Sequence, residues 1–450
     1  MVTDASQGRS RKESLKEAIL NRRMLICVFT GFTSGMPLYV VFQLVPAWLR
    51  TEGVGLAEIG FFTLVQLPYI WKFLWSPVID RYTLPFLGRR RGWMLVTQLA
   101  VMMSIAAMGF LEPALSIWAV AYLAAAMAFF SASQDIVLDA YRRELLPDVE
   151  LGLGNMIHVN AYRLSGLVPG ALALILADHM AWHSVFIVVA LFMLVGVILT
   201  LSIKEAVSEP SPPKTLVDAV INPFLEFFNR KGVTSGLLVL AFLVLYKLGD
   251  SMATALQTPF FIDAGFSLTA IGTIAKFAGL IAVIVGGFGG AIVMIKLGIN
   301  RALWLFGLVQ IISIIGFALL SELSVLTEAA ILQESAFPNF LTLRYDTGAD
   351  PLMRWMLGIV VAFEYLGVGL GGAAFVAFMA RTTNPVFAAT QFALFSALTA
   401  VPRTVIGAFT GVMVEHLGWT DFFFVCTALA IPGMLLLFKV APWNANDETA

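Results

Sequence analysis

The chain has 450 residues, of which 59% are hydrophobic and 13% charged, with a mean hydropathy of +0.87 and a formal net charge of −1. That balance excludes a soluble globular domain, because too little polar surface remains to cover a core of this size. The near-zero net charge names no partner, since in a membrane protein the placement of charge outweighs its sum.

In chain order, Met1–Arg23 is polar and basic, lacks the apolar core and small-residue cleavage site of a signal peptide, and reads as a short cytoplasmic arm. Apolar stretches of bridging length then predict six spans: Met24–Leu49, Ala57–Val78, Trp93–Leu111, Ala114–Ile136, Gly152–Leu176 and Trp182–Ile203. The segment from Lys204 to Lys231 contains Ser208, Pro210, Ser211, Pro212 and Pro213, cannot continue a helix, and divides the chain. Six further spans follow: Gly236–Ile262, Leu268–Ile295, Ala302–Ser321, Met356–Ala380, Val386–Val414 and Thr420–Val440. The expected fold is an all-α membrane protein with 12 transmembrane helices in two six-helix halves. Its parts are an arm (1–23), a first half (24–203), a linker (204–232), a second half (233–441) and a tail (442–450).

With the N-terminus inside, one face collects nearly all loop cations, among them Arg22, Arg23, Arg81, Arg89, Arg90, Arg91, Arg142, Arg143, Lys204, Arg230, Arg301 and Arg381. The other face collects only Arg50, Arg344 and Arg354, which predicts both termini in the cytoplasm of a bacterial inner-membrane protein. The outer segment Glu322–Arg354, broken by Pro338 and Pro351, is unusually long. Cys27 and Cys426 fall in apolar segments and form no disulfide or metal spacing, and the four histidines, His158, His179, His183 and His416, form no metal or acid–base motif. No enzyme and no cofactor are expected.

The halves echo each other. Asp178-His179-x-x-Trp182-x-x-x-Phe186 is matched by Glu415-His416-x-x-Trp419-x-x-x-Phe423, and Ile59-Gly60 by Ile271-Gly272. Two halves repeating in the same orientation are the plan of a major facilitator, with substrate bound between them near the midplane.

Ionisable residues inside spans are costly and point to function by default. Here they are Lys72, Asp135, Asp139, Arg163, Lys247, Asp250, Lys276, Glu364 and Arg403. Lys247 and Asp250 stand one helical turn apart, as a structural ion pair or as part of a site. Arg163 and Arg403 take nearly equivalent places in the two repeats, where guanidinium groups facing one cavity suit a carboxylate-bearing cargo, or close the bundle by pairing with acids. Glu364, between Phe363 and Tyr365, is a candidate proton carrier, with Asp135 as its rival; Asp139 is expected to pair locally with Arg142 or Arg143. Gln66, Tyr162 and Tyr246, with Tyr39, Gln43, Tyr69, Trp71 and Gln257, are candidates for holding a sugar-like ligand or for packing. Asp80-Arg81 followed by Gly88-Arg89-Arg90-Arg91 looks like the cytoplasmic loop motif of major facilitators, stretched by Tyr82–Leu87, and suits a latch between halves in one conformational state.

Specific strings sharpen this reading: Gly31-Phe-Thr-Ser-Gly-Met-Pro-Leu38, Trp71-Lys-Phe-Leu-Trp-Ser-Pro-Val-Ile-Asp-Arg81, Ser131-Ala-Ser-Gln-Asp-Ile-Val-Leu-Asp-Ala140 and Tyr246-Lys-Leu-Gly-Asp250. They resemble the AmpG family of muropeptide permeases within the major facilitator superfamily. The resemblance runs from about Met24 to Pro442 and implies proton-driven import of anhydromuropeptides for peptidoglycan recycling, with a possible input to β-lactamase induction. The implied partners are an anionic sugar-peptide, protons and membrane lipids, without nucleic acid, in a monomer. By position it maps the family's charged cavity residues onto Lys72, Asp135, Arg163, Lys247 and Asp250. The substrate-binding set is then Lys72, Arg163, Lys247, Arg403, Gln66, Tyr162 and Tyr246, and the proton-coupling set Asp135, Asp250 and Glu364. The subfamily also includes relatives suggested to carry siderophores or coenzyme A esters, and a proton-antiporting exporter is a further transport alternative.

Overall fold

The structure, a computed structural model, describes residues 21–84, 87–147, 150–205, 225–230, 232–334, 350–384 and 388–444. The regular elements among them are all helical. The first half contains α1 (Arg22–Thr51), α2 (56–81), α3 (Arg89–Met108), α4 (Ile117–Leu145), α5 (Leu153–Ala177) and α6 (Trp182–Ser202). The second contains α7 (Val233–Asp263), α8 (268–297), α9 (299–334), α10 (Pro351–Thr382), α11 (388–417) and α12 (Trp419–Val440).

Ten helices among the described residues are long and apolar enough to cross a membrane. One of them, Leu268–Leu326, is two spans folded back at Gly298, whose φ of 77° only glycine adopts without strain, and the segmented α2 completes the twelve. α2 breaks into short pieces because Pro68 and Pro77 interrupt its backbone hydrogen bonding. α4 runs nine residues beyond the predicted Ile136, since Asp139 pairs with Arg142 at 2.8 Å along its polar face while Val137, Leu138 and Tyr141 are buried on the other. Part of the long segment after Glu322 continues α9 to Glu334; its remainder, 335–349, lies outside the described residues.

The repeated motif has a packing reason. Phe186 packs between Trp48 of α1 and Trp182, and Phe423 and Trp419 both pack on Phe260 of α7; the Trp48–Phe186 and Phe260–Phe423 centroids both lie 4.9 Å apart. Each half thus braces the end remote from the chain termini with an aromatic trio.

The apolar core shows how the halves meet. At the remote end and in the middle, one continuous cluster takes residues from both halves, such as Val40, Trp48 and Phe186 with Phe260, Ile271 and Phe423. At the end carrying the termini the core separates. One cluster there, around Met94, Val137 and Tyr141, belongs to the first half, and another, around Phe242, Phe375 and Leu437, to the second. The halves are therefore joined at the remote end and part toward the termini.

Candidate functional site

Four helices loosen where they face one another. Turns of wide, π-helical hydrogen bonding occur at Val40–Leu44 of α1, Val168–Leu172 of α5, Ile271–Ala275 of α8 and Pro402–Ile406 of α11. Such turns push side chains out of the regular helical register and recur at functional sites. Here they surround a cavity of about 120 Å³ between the halves, lined by Phe42 and Gln43 of the first half and by Asp250, Gln257, Lys276, Tyr365 and Arg403 of the second.

Arg403 reaches across the joint, its guanidinium carbon 3.5 Å from the centre of the Phe42 ring. Gln257 is fixed by the Tyr365 hydroxyl, which donates to its Oε1 at 2.9 Å. Lys276 donates to Thr258 Oγ1 at 3.0 Å. The sequence singled out Lys276 as an intramembrane charge but gave it no role. One signal was available: counted from the two Ile-Gly pairs, Lys276 stands where the first half has Leu64, so the repeats diverge at that point.

Each half holds its own acid cluster. In the first, Asp135 accepts from Ser34 Oγ at 2.6 Å and lies 3.7 Å from Lys72 Nζ. In the second, Lys247 Nζ lies 3.3 Å from Asp250, and Glu364, with no exposed surface, accepts from Ser313 Oγ at 2.5 Å while also facing the Asp250 carboxyl. Asp250 stands between this buried acid and the central cavity, which it lines. The sequence-derived acids thus fall into two groups, Asp135 with Lys72 and Asp250 with Glu364 and Lys247.

The other expected residues separate. Arg163 does not line the cavity; its Nη1 would be 3.9 Å from a Cβ at Gly287 of α8. The reason is register. Measured back from Asp178 and Glu415, Arg163 is about one turn further from the remote end than Arg403. Gln66 is buried on α2, and Tyr162 packs on Tyr39 with centroids 5.7 Å apart. Tyr246 is buried, stacks on Phe375 and donates its hydroxyl to the Leu303 carbonyl at 2.9 Å, so its polar atom serves the second half's own core.

The basic loop stays within the first half in this conformation. Arg89 and Arg90 hold Glu144 of α4 at 2.9 and 2.8 Å, Arg90 and Arg91 backbone N–H groups donate to Glu205, and Arg91 caps the Thr200 and Leu201 carbonyls of α6. Arg81 is exposed, and the Asp80 side chain lies outside what the structure describes.

At the remote end the halves are sealed twice by the same device. Asp178, ending α5, accepts from the Thr269 N–H that begins α8 at 2.6 Å, and Glu415, ending α11, accepts from the Ala57 N–H that begins α2 at 2.9 Å. Just below, Gly272 faces Ala171 and Gly60 faces Ala408, so closely that an added Cβ would sit 2.8 and 2.9 Å from those backbone carbonyl oxygens. The spacings along the chain are the same in both seams, which explains both echoes seen in the sequence. Arg50 of α1 adds an ion pair to Asp263 of α7 at 2.5 Å.

Comparison with known proteins agrees with this architecture. The Major Facilitator Superfamily profile matches residues 27–371. An uncharacterised protein of Haemophilus influenzae is 48% identical over 97% of this chain and 99% of its own length. The anhydromuropeptide permease of Escherichia coli K12 is 42% identical over 92% of this chain and 79% of its own. Among solved structures, a nucleoside transporter superposes with a TM-score of 0.67 at 12% identity, covering 94% of this chain and 100% of that one. A bacterial homolog of the human lysosomal transporter Spinster superposes with 0.66 at 14%, covering 94% and 97%. A twelve-helix, two-half membrane architecture, a profile match over most of the length and high identity to named AmpG relatives converge: the chain belongs to the major facilitator superfamily and, within it, to the AmpG family.

Proposed function

We propose that the protein imports anhydromuropeptides across the bacterial inner membrane in symport with protons, both termini facing the cytoplasm. The observation that carries the cargo is the 42% identity with the Escherichia coli anhydromuropeptide permease over 92% of the chain. The geometry supports transport by alternating access: a polar cavity lies between two halves joined at one end and parted at the other. With the termini inside, the joined end is outer and the conformation is inward-facing.

The residues divide the work. Arg403 faces the cavity and binds a cargo carboxylate; Arg163, Lys72, Gln66 and Tyr162 contribute from the first half as the cargo moves inward. Glu364 and Asp250 carry the proton, because a proton between two facing carboxylates turns a repulsion into a hydrogen bond, and its loss hands Asp250 back to Lys247. Asp135 with Lys72 is the corresponding switch in the first half. In the outward-facing state the Asp80–Arg91 loop closes the inner end, exchanging its contacts within the first half for contacts with the second. The proton gradient supplies the energy, with no cofactor.

The test is uptake of a labelled anhydromuropeptide into proteoliposomes under an imposed pH gradient, with a siderophore and a coenzyme A ester as competitors. Accumulation down the proton gradient, unaffected by both competitors, is expected. Movement of the label against the direction of proton flow, or displacement by either competitor, would overturn the cargo and coupling assigned.

A further inference from the structure

The central cavity carries an imbalance of charge and of hydrogen-bonding capacity. Asp250 has Lys247 as its counter-ion at 3.3 Å. Neither Arg403 nor Lys276 has a carboxylate within ion-pair distance among the described residues, although both line the cavity between the halves. Two half-buried cations facing one cavity without counter-charge are costly, and an anionic ligand group is the direct way to offset them.

The unspent polar atoms define which anion. The Arg403 guanidinium is held flat on Phe42 at 3.5 Å, which fixes its plane, and its buried Nε has no partner. Gln257 has its Oε1 occupied by the Tyr365 hydroxyl, which leaves the buried Nε2 as an unpaired donor. Lys276 gives one of its three N–H groups to Thr258 and keeps two. From the opposite wall, Gln43 contributes a single unpaired acceptor, its buried Oε1.

Donors on α7, α8 and α11 therefore converge against two unpaired acceptors, Gln43 Oε1 on α1 and Asp250 Oδ1 on α7, the latter on a carboxylate already paired with Lys247. A sugar hydroxyl, which both gives and accepts, does not match this excess of donors or cancel two cations. A carboxylate with a neighbouring amide N–H matches both. The cavity's 120 Å³ or so holds such a terminal group and not a whole disaccharide-peptide, so it reads one end of the cargo.

Lys276, like Arg403, touches both halves. Its stem runs beside Gly170 of α5, where a Cβ would lie 3.5 Å from Lys276 Cδ, and its head lies against α7. We propose that Lys276 is a specificity-determining residue: with Arg403 and Gln257 it grips a carboxylate of the cargo's peptide stem, while Gln43 accepts the adjacent amide N–H. The assignment rests on the muropeptide reading of the cargo and names the part of that cargo held.

The experiment compares two probes on the full-length protein in lipid nanodiscs: an anhydromuropeptide with free stem carboxylates and the same molecule with those carboxylates amidated. Wild type is expected to bind the free acid roughly tenfold to a hundredfold more tightly, the range for one charge-assisted contact. Lys276→Met is expected to weaken binding of the free acid several-fold more than binding of the amidated probe, Arg403 retaining part of the preference, and Lys276→Arg to keep the preference whole. Equal binding of the two probes by wild type, or equal weakening of both in Lys276→Met, would overturn the assignment. Uptake by the same proteins in proteoliposomes separates the two claims. Carboxylate-dependent binding without uptake removes the transport reading and leaves Lys276 in place; uptake without carboxylate preference does the reverse; no binding of either probe removes both.

Discussion

Glu364 is where the proposed proton coupling rests on a single residue. It has no exposed surface, one oxygen is satisfied by Ser313, and the other, without a hydrogen-bond partner, belongs to a carboxyl that faces Asp250. Glu364→Gln keeps the size and the Ser313 contact but has no titratable proton to take up or release. It is expected to preserve exchange of labelled for unlabelled cargo while the pH-driven accumulation ratio falls to unity; sustained accumulation in that variant would move the proton elsewhere. That Glu364, Asp135, Asp250 and Arg403 stand out from their spans was legible in the sequence, because a charge inside an apolar span is costly and therefore rare. Their grouping was not. Distances across helices decide that Asp250 sits with Glu364 and that Asp135 sits with Ser34, and Arg163 and Arg403, paired by the repeat, differ by a turn of register that removes one of them from the cavity.

Among the elements, α2 and α8 begin with N–H groups satisfied by a carboxylate of the opposite half, and each passes a glycine against a carbonyl of its neighbour. A carboxylate cap contributes about 0.5–2 kcal/mol. Gly60→Val, or separately Gly272→Val, forces the seam apart and is expected to make a cysteine at Gln43 reactive toward an impermeant maleimide from the outer side, where wild type is protected. Unchanged protection would show that the seams do not gate access. The short helix 225–230 docks differently. Slight burial disfavours the charged form of Glu226, but Asn384 and Gln391 side-chain amides at 2.6 Å and Arg230 at 2.9 Å prevail and hold its carboxyl below the ordinary 4.5. The docking contribution is thus fully present above that value and is lost as the pH falls below it. Protection factors of the 225–230 amides, taken relative to the intrinsic exchange rate at each pH, are expected to fall on acidification and to lose this pH dependence in Glu226→Gln. Most spans were legible to within a few residues from hydropathy, because twenty apolar residues in a row have one stable home, whereas α9 runs past the predicted Ser321 to Glu334. The extension of α4 was hidden, since past Ile136 the helix becomes amphipathic and its length is set by packing of Tyr141 and Leu138 and by the Asp139–Arg142 pair.

For the whole molecule, one core shared at the remote end and separate cores toward the termini leave each half packed within itself where the two part, as rigid-body movement of one half against the other requires. The six-plus-six plan was readable from the linker and the echoes; the conformational state was not, because no residue pattern records which end is closed. The two seams at the remote end, α2 with α11 and α5 with α8, have one further consequence. Since both are borne by the same pair of bodies, neither is released alone: strain in one is felt at the other, and they form a single cooperative event with duplicated hardware. Epistasis is the measure of this. A Gly60→Val, Gly272→Val double variant is expected to expose the Gln43 position scarcely more than either single variant, whereas additive exposure would mean two independent doors.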